Sequence, residues 1–162
     1  MEIKKVTSAE ISRIEDIYEV ARAFMRESGN ATQWGTSYPS RSLIFSDIEK
    51  GELYGVYGED LEAVFVFTRG EDPTYSYIDG EWLNPLPYRA VHRVASAGRV
   101  RGMISVIMDY CFSRCESIRI DTHENNIAMQ KALEKYGFSQ CGTIYLENGE
   151  PRIAYQKQKV SG

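Results

Sequence analysis

Long hydrophobic runs, paired cysteines and an excess of one charge are all missing from this sequence. No uninterrupted apolar run approaches the ~18–20 residues that a membrane-spanning helix needs, and the opening Met-Glu-Ile-Lys-Lys lacks the apolar segment of a signal peptide. The three cysteines, at positions 111, 115 and 141, are odd in number and lack the paired spacing of zinc ligands. These absences predict a soluble protein of the reducing cytoplasm, with no disulfide framework, no metal and no membrane partner.

The charges nearly balance. Lysine and arginine total 19 against 23 acidic residues, a net charge of −4. A general nucleic-acid binder needs a basic surface, so no nucleic-acid partner is expected. The length of 162 residues fits one domain spanning 1–162, and an apolar content of 43% is ordinary for a globular chain with a real core.

The first half of the chain changes its hydrophobic period once. Thr7 and Glu10 match a capping box, and the apolar residues that follow recur at helical spacing. This pattern predicts a helix over 8–28, ended by Gly29, and a second, shorter helix over 41–50. Two strands are then predicted by their β-branched and aromatic residues, at 52–58 and 61–69.

The second half alternates strands with helices. A proline-containing loop is predicted at 70–87, and Asn148-Gly149 is a strong hairpin signal. The remaining predicted elements are strands at 88–96, 117–122, 139–146 and 151–158, and helices at 102–114 and 126–136. This order predicts an α/β fold (α+β mixed sheet) with helices on the faces of the sheet.

The turn after the strand at 88–96 is the most informative stretch. It carries Gly98 and Gly102 together with Arg99 and Arg101, and a helix begins there. Such a turn leaves backbone N–H groups unpaired at the positive end of the helix dipole, where a diphosphate fits. An ordinary turn that binds no ligand can have the same composition. Neither of two other phosphate-binding motifs, G-x-x-x-x-G-K-[ST] and G-x-G-x-x-G, is present.

Two motifs resemble the GNAT acetyltransferases. Residues 99–104 (RVRGMI) resemble that family's R-x-x-G-x-G/A pyrophosphate loop, although Ile104 replaces the final small residue. One strand later, Asn126 precedes a helix that ends at Gly137-Phe138, as the family's helix does. The position at which the family often places a tyrosine acid is Leu133 here, so that role cannot be carried over.

The resemblance implies a GNAT fold in which the strands at 88–96 and 117–122 splay apart around acetyl-CoA, used as a co-substrate without a metal. The backbone of the first strand would hold the acetyl and pantetheine groups, the turn would hold the phosphates, and Asn126 would face the pantetheine arm. The expected acetyl-CoA residues are Val94, Ala95, Ser96, Arg99, Val100, Arg101, Gly102, Met103, Ile104 and Asn126.

Three side chains are candidate proton-transfer groups. His92 lies on the first splayed strand, and His123 follows the second; histidine has the unperturbed pKa nearest neutrality. Tyr136 lies near the family's tyrosine position. The alternatives are a structural His92, an exposed loop His123 and a Tyr136 that belongs to the core.

The candidate acceptor residues are Trp34, Tyr38 and Asp121. Trp34 and Tyr38 occupy the segment that covers the acceptor pocket in the family, where they would form either a pocket wall or a packed lid. Arg152 and Tyr155, in the last strand, are interpreted as structural.

The resemblance implies an N-acetyltransferase that passes an acetyl group from acetyl-CoA to a primary amine, by direct attack in a ternary complex. The partner would be a small-molecule or peptidyl amine, and a homodimer is allowed for. One alternative is a GNAT-like acyl-CoA-binding module without transferase activity. Another is a small α/β domain that binds a different phosphorylated ligand at the same turn.

Overall fold

A mixed eight-stranded sheet organises the protein. The structure is a computed structural model that describes residues 1–160; residues 161–162 of the predicted domain lie outside this range. The strands follow the order β1-β2-β3-β5-β6-β8-β7-β4. Their bounds are β1 Glu2–Lys5, β2 Leu53–Tyr57, β3 Leu61–Phe67, β4 Asp79–Gly80, β5 Arg89–Ser96, β6 Ser117–Thr122, β7 Ser139–Tyr145 and β8 Pro151–Gln158.

Four α-helices cover the sheet. They are α1 Ile11–Glu27, α2 Arg41–Glu49, α3 Met103–Phe112 and α4 Ile127–Tyr136. The predicted capping box is present, since the Thr7 N–H donates to the Glu10 carboxylate ahead of a 3₁₀ turn that leads into α1. No helix in residues 1–160 is both long enough and apolar enough to cross a membrane.

The two faces of the sheet bury different clusters. On one face, α3 and α4 pack over β2, β3, β5 and β6, with residues such as Phe65 and Ile107 fully buried. On the other face, α1 and α2 cover the N-terminal strands, and the loop before β5 covers β7 and β8 around Tyr75. Burying an aliphatic or aromatic side chain contributes about 1.5–3 kcal/mol, so these layers fix the sheet on which the site is built.

The parallel strands β5 and β6 separate soon after they meet. Their pairing consists of Arg89 with Ile118 and Ala90 with Arg119. Beyond that point β5 pairs only with β3, up to Ser96, and β6 pairs only with β8, up to Thr122. The facing edges therefore expose unpaired backbone groups on both sides of a V-shaped opening, and the predicted splayed GNAT fold is confirmed.

A β-bulge bends β5 at the edge of this opening. Arg93 has a φ of +47°, in a region that side chains other than glycine rarely adopt. Its carbonyl accepts a hydrogen bond from the Tyr18 hydroxyl at 3.1 Å. Its guanidinium makes a two-pronged ion pair with Asp47, at 2.9 and 2.8 Å. Contacts from α1 and α2 thus stabilise a backbone conformation that would otherwise cost of order 1–3 kcal/mol.

Several contacts tie the loop before β5 to the sheet, and two of them fix its path most directly. Gly80 of β4 pairs with Gly142 of β7, and their backbones approach so closely that a Cβ on either residue would collide with a backbone carbonyl oxygen of the other strand. Further along, the Arg119 guanidinium lies between the rings of Trp82 and Tyr88, 4.1 Å from each. These two attachments fix the path of the loop over β6.

The hairpin between β7 and β8 uses a longer turn than Asn-Gly alone suggests. The Leu146 N–H donates to the Glu150 carbonyl, and only Gly149 of the Asn-Gly pair adopts a positive φ, +85°. The predicted hairpin is present, but the extra residues let Asn148 stay in an ordinary conformation. A glycine in the left-handed region after a type I turn is the common solution for such loops.

Candidate active site

A cavity of about 750 Å³ lies at the mouth of the V-shaped opening. Its walls come from β5, β6, the segment between α1 and α2, the loop before β5 and the start of β8. A volume in this range holds a small molecule. The cavity is therefore the place to look for the reacting groups.

His92 and Asp72 form a close pair in this cavity. The His92 Nε2 lies 2.7 Å from the Asp72 carboxylate. Burial opposes ionisation of Asp72, but hydrogen bonds from His92 and Thr74 outweigh it and lower its pKa to about 2. Because an ionised carboxylate only accepts, Nε2 is the donor, and the lone pair of neutral His92 is on Nδ1. That Nδ1 has no hydrogen-bond partner within residues 1–160.

Asp121 faces the same cavity from β6. Its carboxylate accepts a hydrogen bond of 2.6 Å from the hydroxyl of Tyr75. Burial, together with the charge of Asp121, raises the pKa of Tyr75 well above its usual value, so the hydroxyl stays protonated and keeps donating. The predicted acceptor residue Asp121 and the candidate base His92 thus reach one cavity from the two splayed strands.

The turn between β5 and α3 exposes a row of backbone donors. The N–H groups of residues 99–102 make no hydrogen bond within the described chain, and the first three N–H groups of α3 have no intrahelical partner. Gly102 caps α3 with a φ of +73°, and a Cβ placed on it would meet open space. Residues of this turn therefore fit a diphosphate held by backbone amides and the helix dipole.

Replacing Gly102 with aspartate is expected to weaken acetyl-CoA binding about tenfold or more relative to Gly102→Asn. Both side chains tolerate the left-handed region and have nearly the same volume, so they differ by one negative charge beside the phosphates. An acidic residue at a helix N-terminus favours the helix, so unfolding would not explain the loss. Calorimetric titration with acetyl-CoA measures the effect.

Gly29→Ala is the control for backbone cost, because Gly29 has a similar φ of +88°, also faces open space and ends α1 away from the turn. Equal acetyl-CoA affinity of the Asp and Asn variants would contradict the phosphate assignment.

The side chains of the other predicted acetyl-CoA residues in the turn point in different directions. Both arginines, Arg99 and Arg101, are exposed, but the Arg99 guanidinium binds Glu62 at 2.8 Å, which turns it toward the β2–β3 hairpin. Val100 and Ile104 pack against the buried cluster under α3. The side chain of Ile104 thus points into the core, where the departure from the family motif leaves the row of amides intact.

The remaining members of that set lie along the main chain around the turn. Val94 lines the cavity, Ala95 is buried, and the Ser96 hydroxyl accepts a hydrogen bond from the Gly98 N–H at 3.0 Å. Met103 is the first residue of α3, and its side chain is buried. For these four residues the backbone, rather than the side chain, is the part available to a ligand.

Asn126 and His123 tie the segment before α2 to the start of α4. The Asn126 side chain caps α4 by accepting from the Met129 N–H, and its amide also donates to Gln33 at 3.3 Å. The His123 Nε2 lies 3.2 Å from the Thr32 hydroxyl. Its Nδ1 accepts from the Asn125 N–H at 2.9 Å. We call these contacts between residues 32–33 and 123–126 the clasp.

His123 is held in its neutral form. Burial and the charge of Arg152 lower the pKa of His123 below its usual value. Protonation would also cost the hydrogen bond that Nδ1 accepts. Because the folded pKa is depressed, the stabilisation is present above the unfolded value near 6.5 and is lost as the pH falls through the folded pKa.

The wild-type free energy of unfolding is therefore expected to fall more steeply between pH 7.5 and 5 than that of His123→Gln. Urea denaturation at several pH values measures both slopes. Parallel slopes would show that the protonation of His123 is not coupled to folding.

Tyr136 lies apart from the cavity. Its hydroxyl donates to the Asp109 carboxylate of α3 at 2.6 Å, and its ring stacks on Phe112. Burial and this hydrogen bond raise the pKa of Tyr136. These contacts join α4 to α3.

Trp34 and Tyr38 both line the cavity. Trp34 is buried against Tyr18, with the ring centroids 5.7 Å apart, and Tyr38 is 6.1 Å from Trp34. The Tyr38 hydroxyl also lies 3.3 Å from the Arg93 guanidinium. The two aromatic side chains therefore pack next to the residues that hold the β5 bulge at Arg93.

Sequence reasoning did not identify Asp72 or Tyr75 as part of the site, and it interpreted Arg152 as structural. Asp72 and Arg152 line the cavity, whereas Tyr75 is buried behind it and reaches it only through its hydrogen bond to Asp121. Asp72-Pro73-Thr74 is an Asp-Pro turn signal, but nothing in it predicts a partner 20 residues away. No group of three or more His, Cys, Asp or Glu side chains within residues 1–160 is arranged to hold a metal ion.

Comparison with known proteins establishes the family. No protein-family model matches the chain, and no curated protein sequence matches it. Among solved structures, a GNAT-family acetyltransferase from Streptococcus agalactiae 2603 is 31% identical, covers 99% of this chain and 96% of its own, and superposes with a TM-score of 0.89. The chain therefore belongs to the GNAT acetyltransferase family.

More distant structures share the fold. A putative acetyltransferase from Staphylococcus aureus Mu50 is 21% identical over 98% of this chain and 99% of its own, with a TM-score of 0.68. A ribosomal-protein-alanine N-acetyltransferase from Brucella melitensis is 14% identical over the same shares, 98% and 99%, with a TM-score of 0.63.

Proposed function

We propose that the protein transfers the acetyl group of acetyl-CoA to a primary amine, with His92 as the proton acceptor. The observation that carries the proposal is the His92–Asp72 pair, set in a cavity at the mouth of the opening between β5 and β6. Family membership supports acetyl transfer in general. The unpaired amides of residues 99–102 support acetyl-CoA as the donor.

Acetyl-CoA supplies an acetyl group on a thioester. The residues of the turn, from Arg99 to Ile104, would hold its phosphates through their backbone amides. The open edge of β5 around Val94 would pair with the pantetheine arm. Asn126, which caps α4 on the other side of the opening, is the remaining candidate contact.

The amine must lose a proton to form the amide. In the attack, a C–N bond forms as the C–S bond breaks, and the electron pair leaves on the thiolate. His92 Nδ1 takes the proton that the nitrogen gives up, and the ionised Asp72 stabilises the resulting imidazolium. Asp121 lies across the cavity, where its carboxylate attracts the acceptor's ammonium form. That form gives one proton to water before the attack, and Asp121 then holds the neutral nitrogen near His92.

Holding both reactants in one cavity supplies much of the remaining acceleration. Trp34 and Tyr38 would form the wall against which the acceptor packs. His123 and Tyr136, the other two candidates, are assigned to the clasp and to the contact between α3 and α4.

The proposal is tested by incubating the protein with acetyl-CoA and a library of primary amines and measuring free thiol. We expect thiol release that depends on the amine, with the acetylated product confirmed by mass spectrometry. Tight acetyl-CoA binding with no thiol release for any amine would instead identify an acyl-CoA-binding module. Stabilisation by ATP or NAD but not by acetyl-CoA would identify a different phosphorylated ligand.

A further inference from the structure

Arg152 is a buried cation whose hydrogen-bond partners are the two residues that precede it in the sequence. Its side chain is 5% exposed and lines the cavity. One guanidinium nitrogen donates to the Pro151 carbonyl at 2.9 Å, and another lies 3.3 Å from the Glu150 carboxylate. Glu150 is itself 53% exposed. A buried guanidinium normally has close, fully desolvated partners, so this cation has bonding capacity to spare.

Arg152 shares a face of the sheet with Asp121. Asp121 pairs with Ala154, two residues along β8 from Arg152, and side chains on a strand alternate between faces. Ala154 and Ile144, which opposes Arg152 in β7, both pack against Tyr75, the partner of Asp121. Diagonal neighbours of this kind are about 7–8 Å apart, with their Cβ atoms somewhat closer.

The cavity therefore has two charged poles. Asp121 and the ionised Asp72 beside His92 form the negative pole. Of the other cations that line the cavity, Arg93 is paired with Asp47, and Lys50 and Arg69 are exposed, so Arg152 forms the buried positive pole. A ligand that carries an ammonium and a carboxylate a few bonds apart matches both poles at once. A peptide N-terminus or a simple alkylamine matches only the first.

We propose that Arg152 binds a carboxylate of the acceptor, and that the acceptor is a free α-amino acid. This inference rests on the proposed acetyl transfer. Arg152 holds the carboxylate through charge-assisted hydrogen bonds, for which the planar guanidinium is well suited. The amine then lies between Asp121 and His92. Glu150 competes with the substrate for the guanidinium.

The test compares glycine and the L-amino acids other than proline and cysteine, each against its carboxamide, as acceptors, with kcat/KM measured by thiol release. Wild-type protein is expected to prefer at least one acid over its amide. In Arg152→Gln that preference is expected to fall about tenfold or more, mainly through KM. Because the two amines differ in intrinsic reactivity, the quantity compared is the acid-to-amide ratio in the variant against that in wild type.

Three further variants separate binding from structure. Arg152→Lys keeps the charge and is expected to retain part of the preference. Glu150→Gln removes the competitor and should lower KM for the acid. Arg41→Gln removes an exposed arginine outside the cavity and should leave the ratio unchanged. If Arg152 were only a structural partner of Glu150, Glu150→Gln would not favour the acid.

If Arg152→Gln folds poorly, a binding measurement that does not need this variant tests the same inference. Calorimetry compares N-acetyl-L-alanine with N-acetyl-L-alaninamide on wild-type protein and on Arg152→Lys, without turnover. Tighter binding of the acid by wild type, weakened by lysine, supports the inference. Equal binding, together with acetylation of amides and peptides as fast as of acids, would overturn it while leaving acetyl transfer intact. If no amine of any class released thiol, both proposals would fail.

Discussion

Replacing His92 with glutamine is expected to lower kcat for acetyl transfer by about 10²–10⁴-fold, the usual contribution of a positioned proton acceptor. Glutamine can still donate a hydrogen bond to Asp72, so the loop before β5 keeps its anchor. What it lacks is the basic nitrogen. Acetyl-CoA affinity, measured by calorimetry, should change little, because the side chain contacts neither the turn nor α3.

His123→Gln is the matched control, since it makes the same chemical change at the other histidine of the chain. The His123 Nδ1 already accepts a hydrogen bond from the Asn125 N–H, so it has no lone pair free to take a proton from the amine. This variant should therefore lose far less activity. The dependence of kcat/KM on pH adds a second readout. The wild-type profile and that of His92→Gln should differ in shape, because only the wild type has a basic nitrogen at this position. Equal kcat for the two glutamine variants would remove His92 from the mechanism.

Asp47→Ala is expected to destabilise the fold by roughly 3 kcal/mol, the lower end of the range for breaking a buried ion pair. Asp47 is 1% exposed and makes both prongs of its ion pair with Arg93. Without it, a largely buried guanidinium on a strained backbone has only Tyr38 beside it. The lower end applies because the Arg93 side chain keeps 17% exposure. Thermal denaturation should show a fall in Tm of about 6–12 °C.

Glu49→Ala serves as the control for this substitution, because Glu49 is exposed on the same helix. The double variant Asp47→Ala/Arg93→Met removes both charges and should recover part of the loss. A single Asp47 variant as stable as the Glu49 variant would mean that the ion pair does not stabilise the bulge. Activity should fall with stability, since the bulge separates His92 from the open edge of β5.

Local signals were enough to predict most of the fold. The strands at 117–122 and 151–158 begin and end where their patterns predict, because alternation, glycine and turn residues mark their ends. The turn at 97–102 was also predictable, since its glycines and its backbone amides belong to consecutive residues. The splayed strands came from the family resemblance, not from any local pattern.

The rest of the site depends on distant residues. Asp72 meets His92 because the loop between them is held in place by distant contacts, which include the Gly80–Gly142 pairing and the Arg119 guanidinium. Nothing in the sequence around Arg93 predicts a positive φ, since its cause is the hydroxyl of Tyr18 and the carboxylate of Asp47. Arg152 was interpreted as structural because its neighbours in β8 are ordinary strand residues.

The close pairing of Gly80 with Gly142 means that two glycines outside the cavity help to determine which side chains reach it. A relative with alanine at either position has no room for this close pairing and must route the loop elsewhere. Such a relative would lose the platform that brings Asp72 to His92, even if it kept both of those residues. When homologous sequences are compared, this pair of glycines would therefore mark, beside the histidine, the loop path on which the proposed mechanism depends.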